Sequence, residues 1–109
     1  MSDINEIVNR LVTFRDERDW KQFHNSKDLA IAISVEAAEL LQLFLWKQSD
    51  QVDKNKLKDE LADVLAFSFL LAEREGFDIR QIILDKIAQN ADKYPIEKAK
   101  GTAKKYNEL

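Results

Sequence analysis

Two segments of this chain are apolar over almost their whole length, and the few charges inside them are all carboxylates. Residues 29–46 read LAIAISVEAAELLQLFLW, in which Glu36 and Glu39 are the only charged side chains. Residues 61–72 read LADVLAFSFLLA, in which Asp63 is the only charge. Helices that are apolar nearly all round are buried on most of their sides. We therefore expect both segments to be central helices.

The rest of the chain also favours helix. Its 109 residues include two glycines and one proline, all in the C-terminal third, whereas helix-forming residues are abundant. We predict four helices, over about residues 4–17, 27–47 with Ser26 as its cap, 54–75 ending at Gly76, and 78–94 ending before Pro95. The predicted fold is an all-α subunit that resembles a four-helix bundle over residues 1–95, followed by a Lys-rich tail, 96–109.

A subunit of this size can hardly bury two such apolar helices alone, so we predict a homodimer or homotetramer with these helices at its centre. A membrane span is disfavoured, because each central carboxylate would cost about 2.5–3.5 kcal/mol in a bilayer. The formal charge of −3 offers no basic surface for a nucleic acid polymer. The absence of cysteine and of a basic N-terminal leader fits a cytoplasmic protein.

The four carboxylates are spaced for a shared site. Glu36 and Glu39 are three residues apart, as are Glu60 and Asp63, so each pair shares one helix face. If the two helices pack antiparallel, the pairs lie at matching levels and converge. An all-oxygen anionic cluster suits Mg²⁺, whereas zinc and copper prefer His or Cys. The alternative is that these acids form salt bridges with Lys or Arg in a structural bundle.

Five stretches carry a resemblance to a known family. They are the ERDWKQFH run at 17–24, E-x-x-E-L at 36–40, F-x-W at 44–46, E-L-x-D-V at 60–64 and K-x-x-x-N-x-x-K-Y-P at 86–95. In this order they resemble a MazG-like nucleoside triphosphate pyrophosphohydrolase, and within that superfamily the all-α dCTP pyrophosphatase group.

The resemblance implies hydrolysis of a nucleoside triphosphate between its α- and β-phosphates, which removes non-standard or surplus nucleotides. It implies Mg²⁺, with Mn²⁺ as a substitute, held by Glu36, Glu39, Glu60 and Asp63. Such a metal can polarise the phosphoryl group and lower the pKa of the attacking water. We assign Glu39 as the group that accepts the proton of this water.

Aromatic residues in the matching stretches are candidates for the nucleobase pocket. Trp20, His24 and Trp46 are predicted to contact substrate, since an aromatic plane stacks on any base. Phe23 fits base contact and core packing equally well. Phe67 stands where dCTP pyrophosphatase relatives often have a tyrosine, so a hydroxyl that could reach substrate is missing.

The fourth predicted helix carries candidate phosphate or sugar contacts. Lys86, Asn90 and Lys93 lie at i, i+4 and i+7, on one face of the helix. The alternative for these three is an ordinary solvated face. For the whole chain, two rival functions stay open: a related pyrophosphohydrolase acting on dUTP or phosphoribosyl-ATP, and a helical oligomerisation module without catalysis.

Overall fold

The computed structural model describes residues 3–109, and these form helices and turns without a strand. The helices are α1 (Asp3–Glu17), α2 (Ser26–Gln42), α3 (Lys54–Glu75), α4 (Ile79–Lys93) and the short α5 (Ile96–Ala99). Single 3₁₀ turns occupy Lys21–Phe23, Ser49–Gln51 and Tyr106–Glu108. The predicted all-α class is confirmed.

Helix α3 has the predicted bounds, because both of its ends carry local stop signals. The carboxylate of Asp53 accepts hydrogen bonds from the backbone N–H groups of Asn55 and Lys56, at 2.9 and 3.3 Å. Gly76 ends the helix with a left-handed backbone at φ +74°, a conformation that glycine adopts without steric cost. Helix α4 likewise begins after its cap, Asp78, and stops ahead of Pro95.

Helix α2 differs from its prediction at both ends. Its cap is Asn25, which accepts from the N–H of Asp28 at 2.8 Å, so Ser26 is the first helical residue instead. The helix ends at Gln42 and not at Lys47. Residues 43–47 follow as turns with hydrogen bonds to carbonyls three positions earlier. They include Trp46 at φ +63°, and a left-handed residue cannot continue a right-handed helix.

The first compact unit of the chain ends at Phe77 and contains α1, α2 and α3. Helices α2 and α3 form its most extensive packing and run antiparallel. The Ser26 hydroxyl, at the start of α2, donates to the Glu75 carboxylate at the end of α3, whereas Glu36 meets residues in the first half of α3. Helix α1 packs on α3 and is tied to it by Arg15 and Glu73.

The interior of this unit is small for so apolar a sequence. Leu29, Leu70 and Ala72 are buried. Many large apolar side chains remain exposed on α2 and α3, namely Ile31, Val35, Leu41, Leu61 and Leu65. No helix among residues 3–109 combines the length and the apolarity that a membrane crossing requires.

The second compact unit comprises Asp78–Leu109. Its C-terminal turn packs on the end of α4: the Lys93 ammonium lies 5.0 Å from the centroid of the Tyr106 ring. The rings of Tyr94 and Tyr106 meet edge to face at 6.3 Å. The Lys-rich segment 96–109 is thus ordered against α4, and the domain boundary at residue 95 stays a prediction.

Candidate metal centre and adjoining cleft

Three of the four predicted acids converge between α2 and α3. Glu36, Glu60 and Asp63 each offer a carboxylate oxygen, and these oxygens lie within 4.8 Å of one another. The spacing of three residues places Glu60 and Asp63 on one face of α3, and the antiparallel packing brings Glu36 opposite them. This convergence was expected from the sequence. The role of each acid stays a prediction.

The crowding of these acids changes their protonation. Burial, followed by the close approach of the Glu39 and Glu60 carboxylates, raises the pKa of Glu36 to about 7. Burial also raises the pKa of Glu60, and the neighbouring Glu39 and Asp63 add to this effect while Glu36 opposes it. Like charges held close together in partial burial disfavour the ionised form. The protein alone therefore compensates the negative charge of these carboxylates poorly.

Two carboxylate oxygens in the cluster have no hydrogen-bond partner in the part of the chain that the structure describes. Glu36 Oε2 and Glu60 Oε2 are buried and accept no hydrogen bond from the described residues. None of the ion pairs found among residues 3–109 includes any of the four acids, which disfavours the salt-bridge alternative. Orphaned oxygens of this kind are costly unless a cation or donor satisfies them. The all-oxygen donor set fits a hard divalent cation such as Mg²⁺ or Mn²⁺.

Glu39 lies at the margin of the cluster. It is exposed, one turn beyond Glu36 on α2, and it is not one of the three acids with mutually close oxygens. Its carboxylate is nevertheless near enough to raise the pKa of both Glu36 and Glu60. Glu39 therefore contacts the cluster but is not one of the three acids whose oxygens group together.

An aromatic cleft of about 250 Å³ adjoins the cluster and shares Asp63 with it. Its aromatic walls come from α1, the following connector and α3. Trp20 lies 5.7 Å from Phe14 and 6.5 Å from His24, and His24 lies 6.3 Å from Phe67, all between ring centroids. An apolar cleft with a few polar groups is typical of a small-molecule site.

His24 contributes a polar atom to this cleft. Its Nδ1 is buried and has no hydrogen-bond partner among the described residues. Burial, and then the positive charge of Arg15, lower the pKa of His24. The imidazole is therefore neutral at pH 7, with one donor and one acceptor nitrogen.

Arg15 is a residue of the cleft that the sequence analysis missed. Only 4 % of it is exposed, and it lines the cleft beside Trp20 and His24. A signal was available: Arg15 follows Leu11 by four positions and Val8 by seven, so it lies on the apolar stripe of α1. A charged residue on a buried stripe needs a partner or a role.

The other predicted substrate contacts are exposed side chains. Trp46 is fully exposed in the turns after α2, and Phe23 is also exposed. Lys86, Asn90 and Lys93 are exposed on α4, in the second unit. The substrate roles of Trp46 and of these three α4 residues stay predictions.

Known proteins similar to this chain are named as pyrophosphatases. The chain is 35 % identical to dCTP pyrophosphatase 1 of Mus musculus, over 95 % of its own length and 66 % of the mouse protein. It is also 35 % identical to dCTP pyrophosphatase 1 of Bos taurus, over 67 % of that protein. The chain thus spans about two thirds of the length of these mammalian relatives.

A crystal structure of a pyrophosphatase from Archaeoglobus fulgidus is similar in fold. It superposes with a TM-score of 0.81 at 33 % identity, over 87 % of this chain and 94 % of that one. Residues 31–109, which include all four acids, match the model of the MazG-like family. On these matches, together with the acid cluster of its central helices, the chain belongs to the MazG-like family.

Proposed function

We propose that this protein is a metal-dependent nucleoside triphosphate pyrophosphohydrolase that releases a monophosphate and pyrophosphate. The observation that carries the proposal is the pair of buried, unpartnered oxygens of Glu36 and Glu60, grouped with Asp63 beside the aromatic cleft. A metal site and an aromatic cleft that lie side by side would bind the phosphates and the nucleobase of one nucleotide. The names of the mammalian and archaeal relatives support the same reaction.

In this proposal Glu36, Glu60 and Asp63 hold Mg²⁺, or Mn²⁺ in its place, with Glu39 completing the set. The bound cation would neutralise the phosphates, polarise the α-phosphoryl group and lower the pKa of the attacking water. Glu39, at the margin of the cluster, would accept the proton that this water loses as its oxygen bonds to the α-phosphorus. The bond between the α-phosphorus and the bridging oxygen would break in the same step, and pyrophosphate would leave with that oxygen. Trp20 and His24 hold the base, and Lys86, Asn90 and Lys93 contact phosphates or sugar.

We infer that the substrate is a deoxynucleotide resembling dCTP, given the names of the mammalian relatives. Phe67 gives its part of the cleft wall no hydroxyl, so fewer polar contacts are available to base or sugar. Removal of surplus or non-standard nucleotides is the role that fits this chemistry. dUTP and phosphoribosyl-ATP are the alternative substrates.

We further propose that the working form is a homodimer or homotetramer. Large apolar side chains of the two central helices, such as Val35, Leu41 and Leu65, are about half exposed in the single chain. Large apolar side chains left this exposed on central helices are a feature of subunit interfaces. A second copy of the same chain offers the matching apolar surface by symmetry.

A screen of pyrophosphate release across the natural and common modified deoxynucleoside triphosphates tests the proposed reaction. Reactions with Mg²⁺, with Mn²⁺ and with EDTA show whether turnover needs a metal. We expect release with either metal, fastest for a pyrimidine nucleotide, and none with EDTA. Absence of pyrophosphate release from every nucleotide would support the rival, a helical oligomerisation module without catalysis.

A further inference from the structure

Among residues 3–109, Arg15 is the only cationic side chain that lines the aromatic cleft. Its guanidinium is almost completely buried, with 5 % of the side chain exposed. Nε donates to the Asp16 carboxylate at 2.9 Å, and Nη1 donates to the Glu73 carboxylate at 3.0 Å. These two bonds hold the guanidinium in place between α1 and α3, and neither uses Nη2.

The charge around Arg15 decides what kind of ligand atom it suits. Two carboxylates, Asp16 and Glu73, already offset its single positive charge, and the carboxylate of Asp63 lines the same cleft. A phosphate at this place would add negative charge beside two carboxylates that already share one guanidinium, which is unfavourable in a partly buried site. A neutral acceptor, such as a carbonyl oxygen, takes a hydrogen bond from the guanidinium without that repulsion.

The neighbours of Arg15 indicate a planar ligand. Trp20, His24 and Phe67 line the same cleft, and the His24 ring lies 6.5 Å from the ring of Trp20 and 6.3 Å from that of Phe67, between centroids. Such rings suit a nucleobase. Bases differ in their acceptors: cytosine, uracil, thymine and guanine carry a ring carbonyl oxygen, whereas adenine carries none and presents an amino group. Adenine accepts hydrogen bonds only at its ring nitrogens, which lie within the outline of the ring. A guanidinium that only donates, and that is held in place by its ion pairs, therefore favours a carbonyl oxygen that projects from the ring over these recessed nitrogens.

We propose that Arg15 is a specificity-determining residue that donates a hydrogen bond to a ring carbonyl oxygen of the base in the cleft. The consequence is selection for cytosine, uracil, thymine or guanine against adenine. This inference rests on the proposed function, because it assumes that the cleft holds the base of a nucleotide. Arg15 lies before the segment that matches the family model, which begins at residue 31.

The test compares kcat/KM for dCTP, dTTP, dGTP and dATP in three proteins. The wild type is compared with Arg15→Met combined with Glu73→Met, which replaces the buried ion pair by apolar side chains and leaves only the half-exposed carboxylate of Asp16 without its partner. Arg10→Met is the matched control, since Arg10 lies on α1 but is exposed and paired with Glu6. We expect the double variant to lose about 10-fold to 100-fold for the preferred carbonyl-bearing base and less than about 3-fold for dATP.

Arg15→Lys provides a second variant in case the double variant does not fold. Lysine keeps a cation for Glu73 but lacks the planar fork of the guanidinium. We therefore expect the ratio of kcat/KM for dCTP to kcat/KM for dATP to fall by about 10-fold, while the melting temperature stays unchanged. An unchanged ratio between dCTP and dATP in whichever of these variants folds would overturn the inference. So would an equal loss for all four nucleotides, which indicates a purely structural ion pair.

Binding of the monophosphates separates this inference from the proposed function. Calorimetric titration with dCMP and dAMP needs the base site but no hydrolysis. Tighter binding of dCMP by the wild type, with the difference abolished in Arg15→Lys, supports the role of Arg15 even if no triphosphate is cleaved. Hydrolysis by the wild type with equal binding of dCMP and dAMP contradicts the role of Arg15 and leaves the proposed reaction intact.

Discussion

The carboxylates of Glu36 on α2 and Glu60 on α3 face each other, and each buries one oxygen that has no hydrogen-bond partner among residues 3–109. Folding therefore brings like charges together where water is partly excluded, which costs free energy in the absence of a counter-ion. An arrangement that lowers the stability of the metal-free chain is expected where a cation binds. The predictions below follow from this relationship and from the cleft beside it.

Glu36→Gln should abolish metal-dependent turnover while the fold is kept. Removal of one ligand from the cluster is expected to lower kcat by at least about 100-fold. The same change removes one like charge, so the melting temperature in EDTA should rise. Pyrophosphate release and circular dichroism on heating measure both effects. Glu97→Gln, an exposed position on α5, serves as control, and near-normal activity of Glu36→Gln would contradict its assignment as a ligand.

The stability of the metal-free protein should fall between pH 4.5 and pH 7. The pKa of Glu36 rises from 4.5 to about 7 on folding, so the folded state binds the proton more tightly than the unfolded state. Its stabilising contribution is complete below pH 4.5 and is lost as the pH rises through about 7. Glu60 shifts in the same direction. The difference in melting temperature between wild type and Glu36→Gln, measured in EDTA across this range, isolates the effect.

Addition of Mg²⁺ should reverse this loss at neutral pH. A ligand at a hundred times its Kd stabilises the folded state by about 2.7 kcal/mol, which corresponds to a rise in melting temperature of about 10 °C or more for a domain of this size. The rise should be smaller at pH 5, where protons compete for the same carboxylates. If addition of Mg²⁺ at pH 7.5 leaves the melting temperature unchanged, the alternative function, a helical oligomerisation module without catalysis, is favoured.

Trp20→Ala and Lys93→Ala should change substrate use in different ways. Loss of the Trp20 ring removes stacking of about 1–3 kcal/mol, to a degree that depends on the base, so KM should rise and discrimination among bases should change. Lys93→Ala should weaken all triphosphates alike, because they share the same phosphates. Values of kcat/KM for several nucleotides decide this, with Phe23→Ala, outside the cleft, as control. A uniform effect of Trp20→Ala across bases would place the base elsewhere.

Self-association should depend on the exposed apolar side chains of α2. We expect static light scattering at micromolar concentration to give the mass of a dimer or tetramer. Leu41→Lys, at a side chain that is 63 % exposed in the single chain, should weaken the assembly because a buried charge is unfavourable. Gln42→Lys at the neighbouring exposed position should leave it intact. A wild-type monomer would overturn the proposed assembly.

The features that sequence analysis predicted well are those with local causes. Asp53 and Gly76 are neighbouring signals at the two ends of α3, and both act through their own backbone contacts. Helix periodicity likewise places Glu60 and Asp63, which are three residues apart, on the same face of α3. These signals need no knowledge of the tertiary structure, and the bounds of α3 followed from them. The convergence of Glu36 with this pair needed one further assumption, that α2 and α3 pack antiparallel.

The features that sequence analysis missed depend on distant contacts or on turns without a characteristic turn residue. Residues 43–47 contain neither glycine nor proline, so nothing in the sequence announces the end of α2 at Gln42. Ser26 and Asn25 are both good caps by residue type, and only the three-dimensional geometry distinguishes them. The partner of Arg15 is 58 positions away in sequence, which no helical periodicity reveals.

The acid cluster and the aromatic cleft differ in the sequence separation of the residues that form them. All four acids lie on one helical hairpin, whose closure requires only the short connector between α2 and α3, so its entropic cost is low. The cleft instead joins residues 11–24 to residues 63–70 and exists only when α1 is docked. Low contact order favours early formation, so we expect the acid cluster to assemble before the cleft during folding. A local opening of α1 would then leave a chain that still captures metal but no longer distinguishes one base from another.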